Sequence, residues 1–194
     1  MIRTFLRKNS FPSVSPRHDA TEGSEAAELA AEMLMAPTAL MQLTMPEARL
    51  VVRYMRPKIV AKGTVFIREG DARDTGFLML LLDGEVTVET MVVSRAEPIV
   101  ITLLGPGNLI GELGLLDRLP RYANCVAATQ LRCATLTREA LNRLMQENPA
   151  VAAKLLLAVS LRIGARLREA TDKLKLYVQL SRAMEQEIAS RLDA

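Results

Sequence analysis

The stretch "GELGLLDRLPR", residues 111–121, sets Glu112 beside a glycine and places Arg121 behind a proline, ten residues past Gly111. Glycine at 111 and 114 permits close backbone approach and unusual dihedrals. The residues "ELGLL" suit one helical turn, whose first amides have no internal partners and point outward. Such an end is a ready site for an anion. Arg121 adds a bidentate, permanently charged contact to a phosphate, which lysine would not reproduce. Glu112 repels phosphate, but a carboxylate is a natural acceptor for a ribose hydroxyl. Together these features suit a phosphate carried on a sugar and not a free one. Taken alone, the pair reads equally well as a surface salt bridge worth about 0–1 kcal/mol.

The sequence around the stretch is turn-rich. Eight of the ten glycines fall between Gly63 and Gly114. "TVFI" (64–67), "GFLMLLL" (76–82), "EVTVET" (85–90) and "PIVITLL" (98–104) read as short strands, and "YANCVAATQLRCATLT" (122–137) holds two more. Asp83-Gly84 is a hairpin signal between the second and third of these. Evenly spaced short strands with no helices between them predict a small antiparallel barrel or jelly roll.

Helices flank the strands. "SEAAELAAEMLM" (24–35) has Ser24 as a candidate N-cap, and "PEARLVVRYM" (46–55) starts on Pro46, which suits a first helical turn. Thr137 caps a short helix that stops at Asn148, where Pro149 forbids continuation. A second helix then runs from Pro149 to about Leu192, with Leu167, Ala170, Leu174, Tyr177, Met184 and Ile188 at three- and four-residue steps. Gly164 interrupts it at about 1 kcal/mol relative to alanine and is a candidate kink. The predicted organisation is a basic tail (1–22), N-terminal helices (23–57), a β-roll (58–137) and C-terminal helices (138–194).

Composition excludes several classes. No apolar run approaches the roughly 18 residues that span a bilayer. The formal charge of +3 is concentrated in the tail, where Arg3, Arg7, Lys8 and Arg17 face Asp19 alone. The remainder is balanced, unlike a folded nucleic-acid-binding domain. The tail reads as a solvated segment or as an Arg- and Ser-containing transit peptide. Cys125 and Cys133 lie in apolar stretches with no CxxC pair and no nearby histidine, which suits buried thiols in a reducing cytoplasm. A metal-dependent cupin needs clustered histidines, and the only one is His18, so no enzyme is expected.

Several segments carry one resemblance in the right order. "LLGPGNLIGELGLLDRLPRYANCVAAT" (103–129) resembles the phosphate-binding cassette of cyclic nucleotide-binding domains, and its step from Gly111 to Arg121 matches regulatory subunits of cAMP-dependent protein kinase. "AKGTVFIREGDARDTGFLMLLLDGEVTV" (61–88) resembles the first strands of that domain, and "LTREALNRLMQENPAVAAKLLLAVSLRI" (136–163) the helices of the catabolite activator family. The resemblance implies a mainly β fold: an antiparallel β-roll followed by a short and a long helix.

The resemblance also implies roles. Arg121 would pair with the cyclic phosphate and Glu112 with the ribose 2′-hydroxyl. The backbone from Gly111 through Leu113 to Gly114, with Tyr122 and Ala123 after the arginine, would complete the phosphate cradle. Tyr122 stands where relatives carry alanine, serine or threonine. It either narrows the pocket or packs on the roll's outer face. Asn124 replaces threonine or serine, and reads as a donor to the ligand or as a strand-surface residue. Carried over without gaps, the helix puts Arg166 and Leu167 at the base-capping place, where Arg166 either meets the base or is a solvated charge.

The implied function is a cyclic nucleotide sensor, for cAMP with cGMP possible, that lacks its own DNA-reading helices. Its signal would pass through an effector protein or through a homodimer built on the long helix. The alternative is a module that kept the fold, lost the ligand and serves protein–protein interaction.

Overall fold

A computed structural model of the chain describes residues 25–37, 39, 42–73, 75–90 and 99–192. The basic tail and Ser24 lie outside the described residues. The chain opens with α1 (Glu25–Leu34) and α2 (Met45–Arg53). Strands β1 (Arg56–Val60), β2 (Val65–Ile67), β3 (Phe77–Asp83), β4 (Val86–Thr90), β5 (Ile99–Leu104) and β6 (Leu109–Ile110) follow. After α3 (Glu112–Asp117) come β7 (Asn124–Ala127), β8 (Leu131–Thr137), α4 (Arg138–Glu147) and α5 (Pro149–Leu192). The expected architecture is present: an antiparallel β-roll with helices before and after it.

The roll is two four-stranded sheets, ordered β1-β8-β3-β6 and β2-β7-β4-β5, with every pairing antiparallel. Strand β3 decides how they stack. Its run "FLMLLLD" is apolar on both faces rather than alternating, the pattern of a strand covered twice. Met79 and Leu81 point between the sheets, against Val86, Ile110, Cys125 and Leu131. Leu78, Leu80 and Leu82 point the other way, into a second core with α1, α2, α4 and the start of α5. Each leucine buried this way contributes about 1.5–3 kcal/mol, so the helices are fastened to the roll along β3.

One expectation fails. The Asp83-Gly84 signal does not make a hairpin, because β3 pairs with β6 and β8 while β4 pairs with β5 and β7. The chain instead changes sheets there. Gly84 sits at φ 95°, and a Cβ on it would lie 2.4 Å from the Gln130 carbonyl oxygen. A tight corner asks for the same left-handed glycine as a tight hairpin, so local sequence does not separate them.

The helical ends follow their chemistry. The Glu47 carboxylate accepts from the Thr44 amide and hydroxyl, both at 2.9 Å, closing the start of α2 one residue before Pro46's predecessor Met45. The Thr137 hydroxyl accepts from the Ala140 amide at 3.3 Å and caps α4. The Asn148 carbonyl accepts from the Ala152 amide at 3.0 Å, starting α5 behind Pro149. Helix α5 continues unbroken for 44 residues through Gly164, about 66 Å at 1.5 Å per residue. Among the described residues no helix is long and apolar enough to cross a membrane.

Candidate functional site

The turn that opens the 111–121 stretch is built for crowding. Gly111 adopts φ 81°, and a Cβ there would lie 2.9 Å from Arg121 Nη1 and 3.2 Å from the Phe77 carbonyl oxygen. The following α3 is the single short helix read from "ELGLL", and it returns Arg121 beneath its own first turn. The main chain of Arg121 is clipped to the turn after β2: its amide donates to the Asp71 carbonyl at 3.0 Å, and its carbonyl accepts from the Gly70 amide at 2.7 Å.

The Arg121 side chain is 8% exposed. Its guanidinium donates to the carbonyls of Gly111 at 2.9 Å, Thr75 at 2.7 Å and Phe77 at 3.4 Å. The Phe77 ring lies 4.6 Å beneath it. Burial pushes its pKa below the ordinary arginine value, opposed by the thiol of Cys125 and the carboxylate of Glu112. Arginine remains charged regardless, so the fold holds a fixed cation under the cassette.

Glu112 is 2% exposed, at the first position of α3. Its counterion comes from 54 residues away: Arg166 on α5 pairs with the Glu112 carboxylate and donates to the Leu109 carbonyl at 2.6 Å. A buried carboxylate left without such a partner costs about 3–5 kcal/mol. Arg166 therefore ties the long helix to the cassette.

Arg121 and Arg166 border a recess that is open to solvent, and Glu112 is not among its lining residues. Gly111, Arg121 and Arg166 line its polar side, and Ile67, Val88, Leu104, Ile110, Ala123 and Cys125 its apolar wall. Tyr122 also lines it and is 62% exposed, so its ring stands at the mouth. An apolar wall facing fixed cations suits a flat ring system that carries an anionic group.

The other residues of the sequence reading are placed differently. Leu113 is half-buried and Gly114 buried, both within α3. The side-chain oxygen of Asn124 accepts from the Glu69 amide at 2.9 Å, which commits it to the turn after β2 rather than to the recess. Leu167 is 67% exposed and away from the recess.

A family model for the cyclic nucleotide-binding domain matches residues 57–148, the roll, the cassette and α4. This chain carries a cyclic nucleotide-binding domain. It is 36% identical over 88 residues to a cAMP-dependent protein kinase regulatory subunit of Yarrowia lipolytica, covering 45% of this chain and 22% of that protein. It is 32% identical over 130 residues to a cyclic AMP receptor protein of Thermus thermophilus, covering 67% of this chain and 57% of that protein. The crystal structure of a cyclic nucleotide-binding domain from Methylobacillus flagellatus, 28% identical, superposes with a TM-score of 0.66 over 76% of this chain and 82% of that one. The chain spans less than two thirds of either curated relative.

Several working parts of the domain are missing from the sequence reading. The carbonyls of Thr75 and Phe77 hold Arg121, and main-chain acceptors leave no trace in residue identity. Arg138 of α4 donates to the Gly114 carbonyl at 2.6 Å, a link with no local signal. The apolar wall has one: Val86 and Val88, or Cys125 and Ala127, alternate with period two and share an inward face.

Cys125 belongs to that wall, and burial pushes its thiol up to about 12, while that of Cys133 rises to about 11. Both are free and buried. A raised thiol pKa favours the folded state below the ordinary value of 9.0, and that contribution is lost as pH rises toward about 12. Iodoacetamide at about pH 8 is expected to leave both thiols intact in the folded protein and to alkylate both once it is denatured. Intact mass reads the result, and equal modification in the two states would contradict it.

Proposed function

We propose that this chain is a cyclic nucleotide sensor that takes cAMP in preference to cGMP and passes the signal out through α5. One observation carries the reading: the buried guanidinium of Arg121 lines the recess, and the buried carboxylate of Glu112 is paired with Arg166, another residue of its lining. The cyclic phosphate meets Arg121 and the ribose 2′-hydroxyl meets Glu112. The purine lies along the apolar wall, with Tyr122 at the mouth. Of the three charged side chains described here, Arg121 and Arg166 are cations and Glu112 an anion. Their surplus of one positive charge matches the single negative charge of a cyclic phosphodiester. Preference for the adenine base follows from the absence of a serine or threonine hydroxyl after Arg121.

The output runs through Arg166. Its contact with Glu112 makes the position of α5 sensitive to what occupies the ribose site, and a ligand with different affinity for two helix positions biases them. Beyond Arg166 the stripe of Leu167, Ala170, Leu174, Tyr177, Met184 and Ile188 is exposed. A parallel coiled coil with a second copy covers it, and a protein effector reads the pair.

Isothermal titration with cAMP, cGMP and 5′-AMP tests the ligand assignment. Binding is expected to be tightest for cAMP and weakest for the acyclic monophosphate. Glu112→Gln is expected to weaken cAMP binding by less than about tenfold, because the amide oxygen still accepts from the hydroxyl. No heat with either cyclic nucleotide at high micromolar concentration would identify the domain as an interaction module instead.

A further inference from the structure

Helix α5 carries more apolar surface than a two-stranded pairing covers. Every described side chain from Leu167 to Ile188 is exposed. At about 100° per residue, the stripe through Leu167, Leu174 and Ile188 lies along one side of the rod. Leu180 lies about a third of a turn from Leu174, with Tyr177 and Met184 between them, and Leu176 lies almost opposite Leu174. A two-stranded coiled coil buries only a narrow seam, so it leaves Leu176 and Leu180 in water. A helix in a four-helix bundle has two neighbours about a quarter-turn apart and a shared interior between them. The arc from Leu174 through Tyr177 and Met184 to Leu180, about 120° wide, is broad enough to face both neighbours.

The charges on the second side state the direction of the second neighbour. Lys173 stands seven residues before Leu180 and Glu187 seven after it. Glu169 stands eleven before, and position 191, eleven after, is an arginine. A parallel neighbour in register sets each of these against its own kind. An antiparallel neighbour centred on Leu180 sets Lys173 against Glu187 and position 169 against position 191, each pair occurring twice. The same register lays Leu176 against Met184 and Leu180 against its own copy. Flanking charges of this kind set partner orientation in helix assemblies.

We propose that two parallel pairs of this chain meet antiparallel about Leu180, so that α5 residues from four copies form a four-helix bundle. The proposal rests on the parallel pair described under the proposed function. The arrangement closes on itself and does not propagate into a filament. It also leaves room for the rolls. Arg166, the residue that holds α5 to the cassette, lies 14 residues, about 21 Å, from the centre at Leu180.

Sedimentation velocity on the full-length chain at micromolar concentration tests it. The unsubstituted protein is expected to sediment as four copies. Lys173→Glu is expected to give two copies, and adding Glu187→Lys to that variant is expected to restore four. Leu180→Glu, which would bury like charges at the centre, is also expected to give two, with circular dichroism confirming that the helix is kept. Two copies without any substitution would overturn the bundle and leave the parallel pair standing. One copy would overturn both. Four copies unmoved by Lys173→Glu and Leu180→Glu would place the assembly surface elsewhere and overturn the proposal.

Discussion

Replacing Arg121 by alanine is expected to weaken cyclic nucleotide binding roughly 10- to 100-fold. A charge-assisted hydrogen bond is worth about 1.5–3 kcal/mol, and about 1.4 kcal/mol is tenfold in affinity. The geometry adds a second effect. The guanidinium gathers the carbonyls of Gly111, Thr75 and Phe77, which belong to the cassette turn, the segment before β3 and β3 itself. Alanine removes that strut along with the ligand contact, so the thermal midpoint falls even without nucleotide. Arg121→Lys separates the two roles. An ammonium keeps the charge but cannot fork toward three carbonyls and a phosphate at once. Its affinity is expected to lie between those of the parent and the alanine variant, with stability near the latter. Titration calorimetry and thermal unfolding read the two effects, and unchanged affinity in Arg121→Ala would remove Arg121 from the site.

The contrast between Arg121 and Arg166 marks how far the sequence was legible. Arg121 sits in a local motif in which both charges and both glycines fall within eleven residues, so its neighbourhood could be read directly. Arg166 meets Glu112 across 54 residues, and a solvated helix charge has the same local appearance until the packing of α5 on the roll is known. Strands followed the same division. The apolar run of β3 and the alternation of β4 were readable, but β1, with "RPKIV" mostly exposed, and the two-residue β6 carry little pattern. Asp83-Gly84 announced a tight turn correctly, while sheet membership, which is set by strands distant in sequence, separated a corner from a hairpin. Asn124 was ambiguous for a similar reason, because its partner is the main-chain amide of Glu69.

Gly114→Ala is expected to damage the site about as much as loss of Arg121, although it adds a single methyl group. A Cβ there would lie 2.5 Å from Arg121 Nη1, 2.8 Å from Arg121 Cζ and 2.6 Å from the Thr75 carbonyl oxygen. Two of these atoms belong to a side chain, which would ordinarily swing aside. Here the guanidinium is pinned by three carbonyls and rests on the Phe77 ring, and the third atom is backbone. Moving α3 instead would pull on the 2.6 Å bond from Arg138 to the Gly114 carbonyl. Either response breaks contacts that hold Arg121 in place. Overpacking of this kind costs about 1–3 kcal/mol of stability, and the displaced guanidinium is expected to lower cAMP affinity by about tenfold or more. Gly105→Ala is the control, since a Cβ there meets nothing within 4 Å. At such a site the loss of backbone freedom in the unfolded chain makes the change neutral or stabilising by up to about 1 kcal/mol. Parallel thermal melts and cAMP titrations of the two variants give the comparison. If Gly114→Ala behaves like Gly105→Ala, the cassette is looser than its contacts indicate, and Arg121 is not held by the close approach of α3.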